Sequence, residues 1–563
     1  MKILGIGGQG YRDSSAAVIV DGRVVAAVSE ERFTRTKHEG GFPHRSAAFC
    51  LSQAKIDIAA IDTIAIANNP WLNLRDRLVE WYGEGFLQST RFKTYHIFHD
   101  ELHAAVQYLC EIERLRDLTD ARVEIIPHHL THLAEAFHLS PFGEAALLAI
   151  DGRGEVSTSS QGIGRDGKIE VFSVEKMPNS IGLLCAAVAD FLGFRDEDDE
   201  FRIMSISSIG DPRFLPIFRS ILRPAPNGSY ILNQEYFDTF EGRAFLSNRF
   251  SEELGAGREV GAEVEERHAD IAASLQVAVE EVVLHMAAHL FEKTRSENLC
   301  LSGGVAQNWV LGGRLRADGP FKQVHTGFAP GDEGTALGAA LHIHSEEGGG
   351  RVQPPADSGI GPFHSSEDVF ATFAGIGIIG VTPDDLIADA AERIASGRLV
   401  GWFEGSLEFG PRALGHRSIF LDPTNAKSKE RLVARVKPRS RYHPFGIVVA
   451  ESDLEKYFED VRPDPQMASH RRVKEEMRGA LFPVLHTDGT ARVQTIADDA
   501  PGEVVALLAA VGKRTGHPVL LNTSLNVPGK PLAESPRDAA ATFYTSGLDD
   551  LYIQGIRLSK PGG

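Results

Sequence analysis

Histidines four residues apart on a helix share one face and can grip a single metal ion. The sequence holds three such pairs: His99 and His103, His128 and His132, and His285 and His289. With 21 histidines in the chain, the spacing alone discriminates little, and context has to separate the pairs. His285 and His289 flank the apolar stripe of a long helical pattern and read as packing or surface, and FHDELH around His99 and His103 reads as an exposed segment. His128 and His132, in IIPHHLTHLAEAF, start a helix directly after an apolar strand and a proline. There they would project from the end of an element into a cleft. Ligation and packing both stay open for this pair on spacing alone. Asp151 begins the tight turn DGRGE after the apolar strand AALLAI, and Asp332 sits in the glycine-rich APGDEGTALGAA. Both are carboxylates of the kind that complete a metal site.

A second group of residues suits phosphate. SGGVAQN, at the end of the buried strand LCL, is a glycine turn whose backbone N–H groups can approach phosphate oxygens. Farther along, GPRALGHRS, VKPRSRYHPF, DGTARVQT and LNTSLN alternate Arg or Lys with small hydroxyl and amide residues. Guanidinium groups bind phosphate bidentately, and hydroxyls complete its oxygens. Residues 412 to 441 carry nine Lys or Arg against two acids, Asp422 and Glu430. That bias fits a local cationic pocket for a small phosphorylated ligand.

Such side chains need elements to hold them. The opening MKILGIGGQGYRDSS carries G-x-G-x-x-G at residues 5 to 10, but a dinucleotide fingerprint needs a helix after the glycines. Here AAVIVDGRVVAAVSEE follows, broken at Asp21-Gly22, and it predicts a hairpin. The pattern returns: strand AALLAI, acidic turn DGRGE, then SQGIGRDGKIEVFSV with Asp166-Gly167 at its bend. A duplicated strand, polar turn and hairpin, with helices after each copy, is how the actin-like nucleotide-binding fold is built. Helices are predicted at 99 to 115 and over 263 to 291, where apolar positions 271, 275, 278, 282, 286 and 290 form one stripe. The Gly- and Pro-rich EEGGGRVQPPADSGIGP marks a boundary. The sequence thus predicts an α/β protein with a duplicated domain over 1–345, a linker over 346–365 and a second α/β domain over 366–563 built on RLVGWFE, FGIVVAE, ARVQTI and HPVLL.

The 563-residue chain is too long for one core. Its net charge of −19 argues against nucleic acid as a partner. Apolar stretches fall short of a membrane span and a signal-peptide core is missing from the first twenty residues, so no membrane partner and a cytoplasmic location are expected. Cys50, Cys110, Cys185 and Cys300 are isolated from one another, and each reads as a small buried hydrophobe.

From residue 1 to about 555, DGRVVAAVSEERFTRTKH, HHLTHLAEAF, SGGVAQN, GDEGTALGAA, EFGPRALGHRSI, DGTARVQT and LLNTSLN occur in order. In these motifs the sequence resembles the O-carbamoyltransferases of the nodulation-protein NodU and cephem-carbamoyltransferase type, enzymes that include antibiotic carbamoylases. The resemblance implies an actin-like (ASKHA) metal- and nucleotide-binding domain followed by a YrdC-like domain. The second would make carbamoyl-adenylate from ATP and carbamoyl phosphate. The first would pass the carbamoyl group to a hydroxyl of a small-molecule acceptor, in natural-product biosynthesis. It implies a divalent metal, Fe(II), on His128, His132, Asp151 and Asp332, with Mg(II) accompanying ATP. By the same motifs Gly303, Gly304 and Asn308 would hold the adenylate, and Arg412, Arg417, Lys437, Arg439, Arg492, Asn522, Thr523 and Ser524 would bind ATP and carbamoyl phosphate. A homodimer is left open.

The chain departs from the family pattern on the acceptor side. Arg12-Asp13 stands where the family has His-Asp in the first turn, which makes Arg12 and Asp13 the catalytic candidates. RIMSISSIG replaces K-x-M-G-L-A-x-Y-G, and RSRYHPFGI places His443 where the family has an arginine. The alternatives are an actin-like sugar or small-molecule kinase, which would release ADP rather than AMP, and a nucleotide-binding homologue without turnover.

Overall fold

Asp21-Gly22 and Asp166-Gly167 each close a two-residue hairpin with positive φ at both central positions (49° and 78°, 51° and 81°). This is the turn geometry that matches strand twist and that Asp-Gly adopts readily. The computed structural model describes residues 1–8, 12–69, 110–194, 199–240, 243–437 and 445–560. The chain forms two units, Met1–Glu30 with His38–Pro354, and Glu31–Lys37 with Pro355–Gly563.

In the first unit, β1 (Lys2–Gly7), β2 (Ser15–Val20), β3 (Arg23–Ser29), β4 (Thr63–Ala67) and β5 (Arg122–Ile126) form a sheet in the order β3-β2-β1-β4-β5. A second sheet combines β6 (Glu144–Ile150), β7 (Ser157–Arg165) and β8 (Lys168–Lys176) with β13 (Asn298–Ser302) and β14 (Gln323–Thr326). Its order is β14-β13-β6-β7-β8. The hairpin β2-β3 lies antiparallel to β1, and β4 parallel to it. The hairpin β7-β8 lies antiparallel to β6, and β13 parallel to it. The same five-strand order occurs twice, which is the duplication of an actin-like fold. Within the second copy, between β8 and β13, lie two short ribbons, β9 (Leu222–Ala225) with β10 (Ser229–Leu232), and β11 (Phe237–Phe240) with β12 (Arg243–Leu246).

The helix Glu266–Thr294 runs three residues later than the predicted span, and Ile271, Leu275, Ala278, Val282, Met286 and Leu290 are all buried along it. Its length and apolar composition would also suit a membrane crossing, but 67% of its most apolar window is buried inside the unit. Of the helix predicted at 99 to 115, residues 99–109 lie outside the described residues, as do His99 and His103, and residues 110–118 are helical. The cysteine expectation needs correcting. Cys50 and Cys300 are buried and Cys185 partly so, but Cys110 is exposed on the outer side of its helix.

The second unit is built on a mixed eight-stranded sheet: β15 (Val400–Phe403), β16 (Arg417–Leu421), β17 (Gly446–Ala450), β18 (His470–Arg472), β19 (Thr490–Ile496), β20 (Val519–Ser524), β21 (Asp550–Ile553) and β22 (Ile556–Ser559). The order is β18-β19-β17-β20-β16-β15-β21-β22. Alternate residues enter different cores: Ile447 and Val449 pack with Phe403 and Ile419, whereas Val448 packs with Trp402, Phe420 and the helices Leu386–Ala395 and Val504–Thr515. Both faces are covered, and this explains the uninterrupted apolar run FGIVVA. The short segment Glu31–Lys37 belongs to this unit. The Arg32 guanidinium donates to Gly410 O at 2.8 Å, and Arg35 donates to Leu532 O at 2.5 Å and Pro531 O at 2.9 Å. Arg35 also pairs with Asp538 at 3.3 Å.

Candidate metal centre

Strand β5 stops at Ile126, Pro127 caps the next helix, and His128 and His132 follow one turn apart on the helix His128–Leu139. Pro127 needs no donor partner at that end, and the exposed His128 N–H is taken by the Glu155 carboxylate at 3.0 Å. A carboxylate there also complements the helix dipole. Asp151 is the first residue beyond β6, and Asp332 starts the turn Asp332–Gly334 leading into the helix Thr335–His344. Three element ends therefore converge, those after β5 and β14 coming from corresponding places in the duplicated sheets.

The imidazole Nε2 atoms of His128 and His132 lie 2.9 Å apart. From Asp332 Oδ1 they are 3.2 and 3.5 Å, and from Asp151 Oδ2 they are 3.5 and 3.9 Å. All four donors fall within 4.8 Å of one another. Ligands about 2.0–2.2 Å from a common ion are separated by roughly 3–3.5 Å, so the spacing fits a shared cation. Two imidazoles and two carboxylates suit a divalent first-row ion.

Electrostatics agree. Burial disfavours a charged His128, yet the carboxylates of Asp332 and Asp151 outweigh it and raise its pKa to about 10. Burial also opposes ionisation of Asp151, but the His128 hydrogen bond and the His132 charge hold its carboxyl well below the usual range. For Asp332, burial and the Asp151 charge push upward and the histidines prevail, lowering it. Two buried carboxylates thus call for positive charge at the point where the four side chains meet. His129, by contrast, is driven down to about 3 by burial and by the neighbouring His128, and its Nδ1 contacts Ser160 Oγ at 3.0 Å.

The scaffold around these groups is tight. Gly304 N–H donates to Asp151 Oδ1 at 2.9 Å, which leaves Oδ2 as the oxygen near the histidines. Gly303 adopts φ +83°, and a Cβ there would come within 2.3 Å of Ile150 O. A Cβ on Gly154 would meet the His129 ring at 2.9 Å and His128 at 3.2 Å. Asn308 caps the helix Trp309–Asp318, accepting from Val310 and Leu311 N–H, while its amide donates to Gln276. Gly303, Gly304 and Asn308, expected to hold adenylate, thus shape the turn beside Asp151. Arg12 and Asp13 lie on another turn, where Asp13 contacts His38.

In the second unit the expected phosphate-binding residues form two groups. Lys437 Nζ donates to Ser524 Oγ at 3.1 Å and Asn526 O at 2.8 Å. Asn522, on the same strand, donates to Ala413 O at 2.9 Å and to Gln494 Oε1 at 2.8 Å, and Gln494 donates to Leu414 O at 2.7 Å. The loop carrying half-buried Arg412 is therefore pinned from beneath. From within, Glu408 Oε1 accepts the N–H groups of Leu414, His416 and Arg417 at 2.8 to 3.0 Å. Arg492, buried on β19 opposite His470, donates to Met467 O at 3.1 Å, and Thr523 lies opposite Ile419. Arg417 stands apart. Its fully buried guanidinium donates to the carbonyls of Glu404, Gly405 and His416 at 3.1 Å each and lies 3.5 Å over the Phe403 ring. Burial lowers its pKa to about 10, which leaves it cationic at neutral pH. Arg439 and His443 lie outside the described residues.

Sequence reasoning missed Glu155, Glu408 and Gln494. Glu155 stands four residues after Asp151 in DGRGE, and Glu408 and Gln494 lie inside motifs already quoted, so motif membership was the only signal for the last two.

Sequence profiles of the carbamoyltransferase N-terminus and C-terminus match residues 2–341 and 391–560. An uncharacterised protein, sll1178, of Synechocystis is 34% identical over 99% of this chain and 96% of its own. Nodulation protein NolNO of Sinorhizobium fredii is 34% identical over 97% of this chain and 79% of its own length. The 3'-hydroxymethylcephem-O-carbamoyltransferase of Amycolatopsis lactamdurans is 30% identical over 46% of this chain and 49% of its own.

Proposed function

Because the chain belongs to the carbamoyltransferase family, of the type that includes nodulation and cephem carbamoyltransferases, and is therefore a transferase, we propose that it O-carbamoylates a small hydroxylated molecule through a carbamoyl-adenylate. The observation that carries this reading is the convergence of His128, His132, Asp151 and Asp332 in one unit, with the phosphate-suited residues gathered in the other.

The step in the second unit balances as follows. Water and carbamoyl phosphate give carbamate and phosphate, and a carbamate oxygen displaces pyrophosphate from ATP. Lys437 and Arg492, buried among hydroxyl and amide groups, offset charge developing on the phosphates. Arg412 reaches the ligand from a loop that Asn522, Gln494 and Glu408 hold in shape. Arg417 fixes the strand-to-loop junction rather than touching ATP. In natural-product chemistry the acceptor would be an alcohol on a larger scaffold.

In the first unit, His128, His132, Asp151 and Asp332 would hold a divalent cation, Fe(II) by family resemblance, which when bound supplies a Lewis acid for an acyl or phosphate oxygen. Glu155 holds the backbone at His128, and Gly304 orients the Asp151 carboxylate. The mixed anhydride loses AMP readily, whereas free carbamate has a poor leaving group. A hydroxyl therefore becomes carbamoylated only once the adenylate exists.

The test is to incubate the full-length protein with ATP and carbamoyl phosphate and to separate the nucleotides. AMP with pyrophosphate, dependent on carbamoyl phosphate, is the expected result. ADP as the sole nucleotide product would replace this reading with a kinase.

A further inference from the structure

The turn between β1 and β2 carries an imidazole partner that lies outside it in sequence. Gly8 has φ +89°, and a Cβ there would fall 2.7 Å from Ser14 Cα, so the backbones of these two residues lie close together. Ser14 N–H donates to Glu39 O at 2.9 Å and Ser14 Oγ to Gly41 O at 2.5 Å. These bonds tie residues 38 to 41 against the turn. Asp13 and His38 both adopt the left-handed region, each at φ 53°, a costly backbone for such residues that tends to collect at functional sites. The result is a short contact: His38 Nδ1 lies 2.7 Å from Asp13 Oδ1, while Arg12 Nε donates to Asp13 Oδ2 at 3.1 Å.

The same turn touches the support of the metal centre. Gly8 N–H donates to Thr335 Oγ1 at 3.1 Å, and that hydroxyl donates to Asp332 O at 2.6 Å. A Cβ on Gly7 would sit 2.3 Å from Ala336 N. A single hydroxyl thus joins the Arg12-Asp13 turn to the turn that presents Asp332. The Asp13–His38 pair is partly exposed, so a hydroxylated substrate can reach it from solvent.

We propose that His38, oriented by Asp13, is the general base that takes the proton of the acceptor hydroxyl, and that it fills the role left open by Arg12 in the first turn. With Nδ1–H directed at the Asp13 carboxylate, the imidazole tautomer is fixed and Nε2 is the proton-accepting nitrogen, with Arg12 Nη2 3.4 Å from both ring nitrogens as the cation that faces it. Asp13 and Arg12 are positioning residues. In the step, the acceptor O–H bond breaks and its proton goes to His38 Nε2. The oxygen forms a bond to the carbamoyl carbon, and the bond from that carbon to the phosphate oxygen breaks, its electron pair leaving with AMP. The imidazolium then returns the proton to solvent.

This inference rests on the carbamoyl-adenylate reading, and its test separates the two. ATP–pyrophosphate exchange dependent on carbamoyl phosphate is measured first, with the wild-type full-length chain. Absence of exchange sinks the adenylate reading itself. AMP release is then followed in concentrated glycerol, where glycerol or water serves as hydroxyl acceptor, for wild type, His38→Ala, His38→Gln and Asp13→Asn. Metal content of each variant reports that the first unit is folded. The His38 variants are expected to release AMP roughly 10²–10⁴-fold more slowly, the usual worth of a general base. For Asp13→Asn the rate should fall less, and the rising limb of its pH profile should move to lower pH, because an imidazole without a carboxylate neighbour deprotonates more easily. Metal-loaded His38→Ala within about threefold of wild type, or an Asp13→Asn profile that does not move, overturns the assignment of the base.

Discussion

The two clusters of candidate residues were suggested by the same kind of sequence evidence, polar side chains in short motifs, yet they are built in opposite ways. At the metal centre the heads of His128, His132, Asp151 and Asp332 face one another, and the surrounding backbone serves them. In the second unit much of the polar chemistry serves the backbone: Arg417 is committed to three carbonyls, Asn522 to Ala413 O, and Glu408 to three N–H groups. A metal-type cluster leaves donor atoms pointed at a shared vacancy of charge. A phosphate-type loop must first be held rigid, and part of its charged complement is consumed in doing so.

Removing a ligand is the strongest way to break this contrast. Asp332→Asn or His132→Ala should reduce bound metal from about one per chain to a trace, a loss beyond the ~10–100-fold that supporting partners cost. Elemental analysis after dialysis reads it, and full metal occupancy in Asp332→Asn would show that the four donors do not share an ion. The second unit should answer differently to the loss of Arg417. Arg417→Met is expected to lower unfolding stability by about 3 kcal/mol, since several buried carbonyls lose a charged donor, as seen in the urea midpoint. A raised KM for ATP with an unchanged midpoint would make Arg417 a ligand after all. Asn308 sharpens the comparison within the first unit. Asn308→Ala should cost about 1 kcal/mol of stability as a lost helix cap, with nucleotide affinity unaltered in a binding titration.

The smallest effect expected is one of pH. Burial, opposed by the Gly555 N–H, lifts the Glu404 pKa to about 8. Its folded-state pKa thus exceeds the ordinary value of 4.5, so its contribution to stability is fully present below that value and is lost as pH rises through about 8. The thermal midpoint of wild type, relative to that of Glu404→Gln, should therefore decline between about pH 4.5 and pH 8 and level off above that. Parallel curves would remove Glu404 as the cause.

Local chemistry made much of the fold legible. Asp-Gly pairs between apolar runs specify their turns through φ alone, so both hairpins, and with them the duplication, could be read from the chain. Helical spacing likewise put His128 and His132 on one face, and the ends of strands identified Asp151. What residue type does not reveal is the partner. Arginine and asparagine bond equally well to a nucleotide or to the protein's own backbone, and only the fold brings Arg417 to three carbonyls and Asn308 to the N–H groups of Val310 and Leu311. His38 sat inside a quoted motif, but its contact with Asp13 depends on two left-handed residues and on Ser14 fastening the loop. Cys110 reads as core by residue type alone, and residue type does not say which side of its helix faces solvent.

The seven residues Glu31–Lys37 carry a consequence for biogenesis. They are synthesised long before their partners, for Arg35 binds a carbonyl 497 positions later. The C-terminal half thus cannot complete its packing from its own stretch of messenger alone. Two fragments expressed from a gene divided at Pro354 would each be missing something: one would display an orphaned basic peptide, and the other an empty berth for it.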